Sequence, residues 1–271
     1  MSCPTFIVNA FADGPFTGNP AGVCVLKQAA SEAWMQSVAA QLKVSETAFL
    51  VPEQEGELVN EWSIRWFTPA KEVDLCGHAT LASAYALWAR GMASTDEMIT
   101  FGSRNRGRLH CRREGEIIQL ELPADLPVPC PVPEGLVEAL GVPVSETWRT
   151  TEDDVLLVLE NESAVRNLQP DFTRLTGIEC RGVAVTAQAD ASSDVQVVSR
   201  FFCPRLAVDE DPATGSLHAS LGRFWPSRID REHFRARQLS ARGGVLDVQA
   251  TESGALVGGV GELVLVGALL S

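Results

Sequence analysis

One segment pattern occurs twice in this chain of 271 residues, about half a chain apart. Residues 65–69 (RWFTP) combine a predicted strand end, an aromatic pair and a proline, and an acidic loop then leads to a small-residue helix beginning at 76–80 (CGHAT). Residues 200–204 (RFFCP) lead in the same way to 214–218 (TGSLH). A repeated α/β unit buries one apolar helix against its own sheet. The repeat therefore predicts two similar lobes with one central helix each, although chance resemblance between two short apolar helices is the alternative.

A proline-rich segment separates the two copies. Residues 123–133 contain five prolines, a density that is incompatible with a helix or a central strand. We therefore predict an N-terminal lobe over residues 1–122, a linker over 123–133 and a C-terminal lobe over 134–261. The last strand, residues 262–271, is expected to complete the N-terminal lobe.

Charge and cysteine usage exclude several classes of function. Lys and Arg total 22 against 35 Asp and Glu, and no basic run exists, so neither nucleic acid nor an anionic membrane surface is an expected partner. The seven cysteines are scattered without CxxC spacing, and no apolar stretch is long enough to span a membrane. The first residues do not have the pattern of a signal peptide. These features predict a cytoplasmic protein with reduced thiols.

The two helix starts are candidate anion sites. The first turn of a helix has N–H groups without intrahelical partners and a partial positive charge. Residues 77–80 (GHAT) and 214–217 (TGSL) begin with small side chains that leave these groups accessible. If the two lobes face each other, both helix starts would point into one cleft and bind a carboxylate or a transient enolate-like anion. An ordinary capped helix would explain either segment alone.

Three ionisable residues are candidates for acid/base chemistry. Glu46 lies between two apolar segments, so partial burial could raise its pKa for general acid/base work, or it could be a solvated residue at a helix-to-strand corner. His78 could carry a proton or donate to a substrate oxygen, or it could be a capping or core histidine. Asp211 precedes Pro212 and could cap the second helix, orient the substrate or pair with His78.

Other residues near these motifs have open roles. Cys76 could be a thiolate stabilised by the helix dipole or a small packing residue, and its counterpart Thr214 cannot supply the second thiol of a two-thiol racemase. Asn19 could donate into the cleft or simply form a turn, and Arg242 could meet a carboxylate or face water. The acidic residues near His78 do not have metal-ligand spacing, and no phosphate-binding glycine motif is present. We therefore predict neither a metal nor a cofactor.

Five segments in a fixed order identify a resemblance to a family. Residues 11–20 (FADGPFTGNP), 45–49 (SETAF), 67–69 (FTP), 74–80 (DLCGHAT) and 210–216 (EDPATGS) closely resemble the PhzF-like isomerases of phenazine biosynthesis, a family related to diaminopimelate epimerase. The similarity covers about residues 6–225. It implies an α/β (α+β) fold of two pseudo-symmetric lobes, each a barrel-like mixed sheet around a central helix. It also implies a cofactor-independent isomerase with its active site between the lobes, usually a homodimer.

The resemblance also implies roles for single residues. Glu46 corresponds to the family's acid/base, and His78, Asp211 and Ser216 correspond to its other active-site residues. The backbone amides of Gly77 and Gly215 would hold the substrate carboxylate or the transient negative charge. The same motifs supply the other expected substrate-binding residues, which are Gly18, Asn19, Ala79, Thr80 and Thr214. The chain departs from the family at residues 242–244 (RGG, where the family usually has Arg-Pro-Gly) and at the bulky Leu217.

The predicted function is a cofactor-free isomerase that moves a proton on a small anionic, carboxylate-bearing metabolite. Two alternatives use the same cleft. One is a two-base epimerase or racemase of an amino acid in which Cys76 is a base. The other is a non-catalytic metabolite-binding protein, for which Glu46 would be dispensable.

Overall fold

The chain divides into two compact units in the computed structural model, which describes residues 2–53, 56, 58–144 and 146–270. Unit 1 comprises Met1–Glu121 and Gly258–Ser271, and unit 2 comprises Leu122–Val257. Residues 1 and 271, the outer limits of the predicted N-terminal lobe, lie outside the described part. Each unit has a mixed sheet and one long, buried helix, so the predicted fold class of two lobes with a central helix each is confirmed.

The described residues in the first part of unit 1 form eight strands and two α-helices, and the last of these strands runs two residues past the unit boundary. In chain order the elements are β1 (Ser2–Ala10), β2 (Asn19–Val25), α1 (Glu32–Leu42), β3 (Glu46–Pro52), β4 (Glu61–Phe67), β5 (Glu72–Val73), α2 (Gly77–Ala89), β6 (Ile99–Ser103), β7 (Gly107–Glu114) and β8 (Ile117–Pro123).

In the described residues, unit 2 follows with nine strands, five α-helices and a 3₁₀ helix (Pro204–Leu206), and the chain returns to unit 1 within the last of these strands. The elements are β9 (Val128–Cys130), α3 (Leu136–Leu140), β10 (Thr147–Arg149), β11 (Asp154–Val158), α4 (Glu162–Asn167), α5 (Phe172–Leu175), β12 (Gly182–Gln188), β13 (Val197–Cys203), β14 (Val208–Glu210), α6 (Gly215–Phe224), α7 (Pro226–Ile229), β15 (His233–Gln238), β16 (Gly244–Ala250) and β17 (Gly254–Gly259). The returning strand is β18 (Gly261–Leu270).

The strand pairings of unit 1 recur in unit 2. In unit 1, β1 pairs antiparallel with β18 and β2, β2 is parallel to β3, β3 is antiparallel to β4, and β4 pairs antiparallel with β5 and parallel with β6. In unit 2, β10 pairs antiparallel with β9 and β11, β11 is parallel to β12, β12 is antiparallel to β13, and β13 pairs antiparallel with β14 and parallel with β15. The repeat recognised in the sequence is therefore a repeat of topology.

The same ion pair braces both copies. Arg65 on β4 donates from its Nε and one terminal nitrogen to Glu72 on β5, both at 2.6 Å, and its guanidinium lies 5.2 Å from the ring of Phe67. Arg200 on β13 makes the equivalent bonds to Glu210 on β14 at 2.7 and 3.0 Å. These bidentate pairs close the acidic loop before each central helix, since planar guanidinium and carboxylate groups match in geometry.

The central helices are buried because they are apolar or small on nearly every side. Ten of the 13 residues of α2 are buried, among them four alanines, and eight of the ten residues of α6 are buried. Gly222 shows why small residues are needed, because a Cβ atom built on it would lie 2.7 Å from the Cβ of Ala255 and 2.9 Å from Val248. A helix that is apolar all round belongs in a core.

Several local predictions differ from the structure. The proline-rich segment contains the strand β9, whose Pro129 lies opposite Trp148 of β10, so the segment is not wholly irregular. The last strand, expected over residues 262–271, begins one residue earlier, since β18 covers Gly261–Leu270. Among the short elements that the sequence pattern did not indicate are β10 and α4. Ser31 is the N-cap of α1, as its residue type favours, and its hydroxyl accepts from the amide of Trp34 at 3.3 Å.

No helix in the described part of the chain has the length and apolar character needed to cross a lipid bilayer.

Candidate active site

Unit 1 brings a carboxylate, an imidazole and a thiol together. Glu46 begins β3, Cys76 is the N-cap of α2, and His78 is the second residue of that helix. The Nε2 atom of His78 lies 3.2 Å from Oε2 of Glu46, and its Nδ1 lies 3.4 Å from Sγ of Cys76. Asn19, the first residue of β2, places its Nδ2 atom 3.4 Å from the same Nδ1. The predicted site residues Asn19, Glu46 and His78 thus form one cluster.

Strand pairing and a glycine turn position this cluster. The parallel pairing of β2 with β3 sets Ala21 opposite Glu46, so the beginnings of the two strands lie side by side. Gly18 has φ +77°, and a Cβ atom there would lie 2.4 Å from the carbonyl oxygen of Ala10. Only glycine is therefore suited to the turn that delivers Asn19 to the start of β2.

Burial makes His78 a neutral residue at physiological pH. Its side chain is only 8% exposed, and burial lowers its pKa from 6.5 to about 3. A neutral imidazole has one donor and one acceptor nitrogen. If the Asn19 amide donates to Nδ1, Nε2 carries the proton and donates to the Glu46 carboxylate. His78 can therefore hold a carboxylate oxygen of Glu46 without a positive charge, while the Glu46 side chain stays 21% exposed.

Neither central helix is capped by the side chain of its N-cap residue. Cys76 and Thr214 both have extended backbone at this position, and neither makes a side-chain cap bond. The first intrahelical bonds run from Thr80 N to Cys76 O and from His218 N to Thr214 O. The amides that precede them, those of Gly77 and Gly215 included, are the groups that a helix directs at an anion.

The other predicted residues of the first helix start have their side chains in the helix interior. Ala79 and Thr80 are fully buried, and the Thr80 hydroxyl donates to the carbonyl oxygen of Cys76 at 2.7 Å. Their side chains therefore support the helix start. The expectation that they bind substrate stays a prediction.

Asp211 is not the N-cap of the second central helix. Thr214 occupies that position, and the Asp211 carboxylate accepts a short hydrogen bond from the Thr214 hydroxyl. Gln238, which the sequence analysis missed, fixes both residues. Its amide donates to the carbonyl oxygen of Asp211 at 2.6 Å, and its Oε1 accepts from the amide of Thr214 at 2.9 Å. The loop before α6 is thus held by β15, the strand that carries Gln238.

Ser216 lies against an arginine that the sequence analysis also missed. Both terminal nitrogens of Arg181 lie 3.1 Å from the Ser216 Oγ, and Nε of Arg181 donates to Asp154 at 2.7 Å. Burial lowers the pKa of Arg181, but the hydrogen bonds and charge of Asp154 outweigh it, so the pKa ends above its usual value. A signal existed in the sequence, since charged residues flank the starts of two buried strands, β11 and β12.

Two remaining predictions concern the departures from the family pattern. Arg242 is exposed in the turn before β16. Leu217 is fully buried inside unit 2, so its bulk fills the interior of that unit.

The comparisons with known proteins agree on the family. The model of the PhzC-PhzF family, described as phenazine biosynthesis-like protein, matches residues 8–259. An uncharacterized isomerase of Pseudomonas aeruginosa is 42% identical over 269 residues, which cover 99% of both chains. A crystal structure of a PhzF-family phenazine biosynthesis protein from Enterococcus faecalis has a TM-score of 0.91 at 39% identity and covers 100% of both chains.

A more distant structure shares the fold. A hydroxyproline epimerase from Agrobacterium vitis has a TM-score of 0.64 at 10% identity, covering 99% of this chain and 92% of the epimerase. The family predicted from the five motifs is confirmed, and so is the prediction of an enzyme of the isomerase class. This chain belongs to the phenazine biosynthesis-like (PhzC-PhzF) protein family.

Proposed function

We propose that the chain is a cofactor-independent isomerase that moves a proton on a small carboxylate-bearing metabolite, with Glu46 as the general acid/base. The observation that carries the proposal is the partly exposed Glu46 carboxylate, whose Oε2 lies 3.2 Å from Nε2 of the buried, neutral His78. A catalytic carboxylate must reach the substrate while a fixed neighbour holds its orientation. Glu46 and His78 meet both requirements.

The proposed reaction is a proton shift along one face of the substrate. Glu46 removes a proton from a carbon next to an unsaturated or carbonyl group, so the C–H bond breaks, an O–H bond forms on Glu46, and the electron pair spreads into the substrate. Glu46 then returns the proton to another carbon. Positioned acid/base catalysis of this kind contributes about 10²–10⁴-fold to a rate.

His78 and the helix starts would stabilise the charged intermediate. An Nε2–H donor beside Glu46 favours the carboxylate when the proton is on the substrate, and the neutral imidazole does not compete as an acid of its own. The amides of Gly77 and Gly215 are proposed to bind the substrate carboxylate or the transient anion, as helix N-termini do. We include Asp211, Thr214 and Ser216 among the proposed substrate contacts on the family resemblance.

A proton-exchange experiment tests the role of Glu46. Wild-type protein is incubated in heavy water with a panel of small carboxylic acids, and deuterium uptake is followed by mass spectrometry. We expect Glu46→Gln to fold normally and to exchange at least about 100-fold more slowly, since the amide cannot accept the proton. Glu114→Gln, on the exposed strand β7, is the matched control and should keep the wild-type rate. Full exchange by Glu46→Gln would remove Glu46 from the reaction.

Substitution of Cys76 separates this mechanism from a two-base epimerase. Cys76 is buried, and Thr214 is its counterpart in the second repeat, so the chain does not have opposed thiols at these positions. Cys76→Ala should therefore retain deuterium exchange. Loss of all exchange in this variant would favour the two-base reaction, while binding of acids without exchange in the wild type would favour a binding protein.

The proposal extends to assembly and location. Residues 263–270 of β18 (LVLVGALL) include four large side chains that are exposed, those of Val264, Leu265, Val266 and Leu270. Val264 and Val266 lie on the same face of the strand, and exposed apolar side chains on one face are typical of a protein–protein interface. We propose that it is the contact of a homodimer. The proposed cytoplasmic location rests on the sequence arguments alone.

A further inference from the structure

Three donor atoms of different chemistry converge in unit 1. One carboxylate oxygen of Glu46, Sγ of Cys76 and a ring nitrogen of His78 lie within 4.8 Å of one another, a grouping of three possible metal ligands. No spacing rule could reveal it, because one donor comes from the start of β3 and the other two from the start of α2.

The donor set suits a borderline-soft divalent ion. Zn²⁺ binds thiolate sulfur, imidazole nitrogen and carboxylate oxygen, and three protein ligands with an open fourth position are common. Hard cations such as Mg²⁺ or Ca²⁺ favour oxygen ligands, so a sulfur-containing set discriminates against them. Ligation through Nε2 requires the tautomer of His78 that carries its proton on Nδ1, so this proton moves from Nε2 to Nδ1, beside Asn19 and Sγ of Cys76, when the ion binds.

The distances are close to those of an assembled site. Metal–ligand bonds of about 2.0 to 2.3 Å in tetrahedral geometry separate the donor atoms by roughly 3.3–3.6 Å. In the structure, Nε2 of His78 lies 3.2 Å from Oε2 of Glu46 and 3.9 Å from Sγ of Cys76. Cys76 is the N-cap of the helix that carries His78, and all three donor atoms lie within 4.8 Å of one another, so side-chain rotation of Glu46 toward Cys76 would bring the three donors to one ion.

We propose that Glu46, Cys76 and His78 form an inhibitory Zn²⁺ site. The ion takes the Glu46 carboxylate as a ligand, so that residue can no longer accept a proton from the substrate. The Cys76 thiol releases its proton to solvent on binding, which leaves a thiolate–zinc bond. Zinc is here a reversible inhibitor and has no part in turnover. The inhibitory effect rests on the proposed function of Glu46, whereas the binding site does not.

Cobalt substitution tests the ligands directly. Co²⁺ is added to the purified full-length protein, and the ultraviolet band that arises from thiolate-to-cobalt charge transfer reports sulfur ligation. We expect this band in the wild type and its loss in Cys76→Ser. Cys130→Ser is the matched control, because Cys130 lies in unit 2 on β9, and it should keep the band.

Zinc affinity provides the second measurement. Competition with a chromogenic chelator should show binding that tightens as pH rises, with release of one proton. Loss of a residue that only hydrogen-bonds to a metal ligand typically weakens metal binding by roughly 10–100-fold. Cys76→Ser and His78→Gln each remove a ligand, so each should weaken zinc binding by more than that. Unchanged zinc affinity in both variants, or no charge-transfer band in the wild type, would overturn the site.

The two proposals fail in distinguishable ways. If the metal site exists and Glu46 is not the acid/base, the cobalt band appears and zinc leaves deuterium exchange unaffected. If Glu46 is the acid/base and the metal site does not exist, Glu46→Gln loses exchange and the cobalt band is missing. If zinc inhibits exchange in the wild type but not in Cys76→Ser, and the cobalt band is present, both the acid/base role of Glu46 and the metal site are supported.

Discussion

Removing the charge of Asp154 should destabilise unit 2 by about 2–3 kcal/mol. Asp154 is fully buried and accepts two hydrogen bonds from Arg181, whose side chain is 26% exposed. Breaking a buried ion pair by removing one partner typically costs about 3–5 kcal/mol, since the other charge is left uncompensated. Because the exposed part of Arg181 stays hydrated, the unpaired guanidinium costs less, and the loss of stability expected for Asp154→Asn lies at or below the lower end of that range. The substitution keeps the shape, removes the charge and turns one acceptor oxygen into an NH₂ donor, so one of the two hydrogen bonds from Arg181 is lost as well.

Urea denaturation at neutral pH measures this loss. With a dependence of about 1–3 kcal/mol per M urea, the midpoint should fall by about 0.7–3 M. Asp153→Asn is the matched control, because Asp153 pairs with Arg149 at the surface, where a pair contributes about 0–1 kcal/mol. Asp153 has φ +63°, a conformation that asparagine also tolerates.

The control and a double variant decide whether the reasoning holds. Replacing both partners by apolar residues, as in Asp154→Leu with Arg181→Met, leaves no unpaired charge and should restore part of the stability. Equal midpoints for Asp154→Asn and Asp153→Asn would refute the argument. The argument would also be refuted if the double variant lost more free energy of unfolding than Asp154→Leu and Arg181→Met lose when their separate losses are added.

Two further predictions concern pH and assembly. Burial lowers the pKa of His78 to about 3 and that of His218 to about 4, against 6.5 in an unfolded chain. The two neutral histidines thus contribute stability above pH 6.5, and this contribution is lost as the pH falls toward 4, because the unfolded state binds protons that the folded state does not. The urea midpoint should therefore fall when the pH is lowered from 7 to 5. The fall should be smaller in His218→Gln. Val266→Glu should convert a homodimer to a monomer in light scattering, whereas Glu114→Gln should not; an unchanged mass would exclude β18 as the interface.

The sequence allowed prediction of the elements that are long or strongly patterned. The strand β4 over residues 61–67 and the helix α1 with its Ser31 cap were predictable, because alternation and capping are local signals. The short strand β10 was not, since three residues carry no period. The proline of β9 argued against a strand there, but it lies opposite Trp148 in a pair of only three residues.

The candidate site was only partly predictable for a different reason. Glu46, His78 and Asn19 are recognisable because each lies inside a family motif. Arg181 and Gln238 lie outside every motif, and their roles depend on which strands become neighbours. Arg181 reaches Ser216 because β12 lies beside β11, whose first residue Asp154 holds the guanidinium. Contacts of this kind depend on tertiary structure, which local patterns do not encode.

The repeated topology makes the chemical difference between the two copies interpretable. Both copies have the Arg–Glu brace and an N-cap without a side-chain cap bond, so the frame is the same. At the start of the third strand of each repeat, unit 1 has the carboxylate of Glu46, whereas unit 2 has Gly182 preceded by the cation of Arg181.

At the helix start the first copy has a thiol and an imidazole, and the second has two hydroxyls, those of Thr214 and Ser216. A two-base enzyme built by duplication would be expected to keep a proton acceptor at the same position in both repeats. At these matched positions the carboxylate, thiol and imidazole belong to the first repeat, while the second has two hydroxyls and the Arg181 cation, which is paired with Asp154. The difference supports the proposed one-base reaction, in which Glu46 of unit 1 moves the proton.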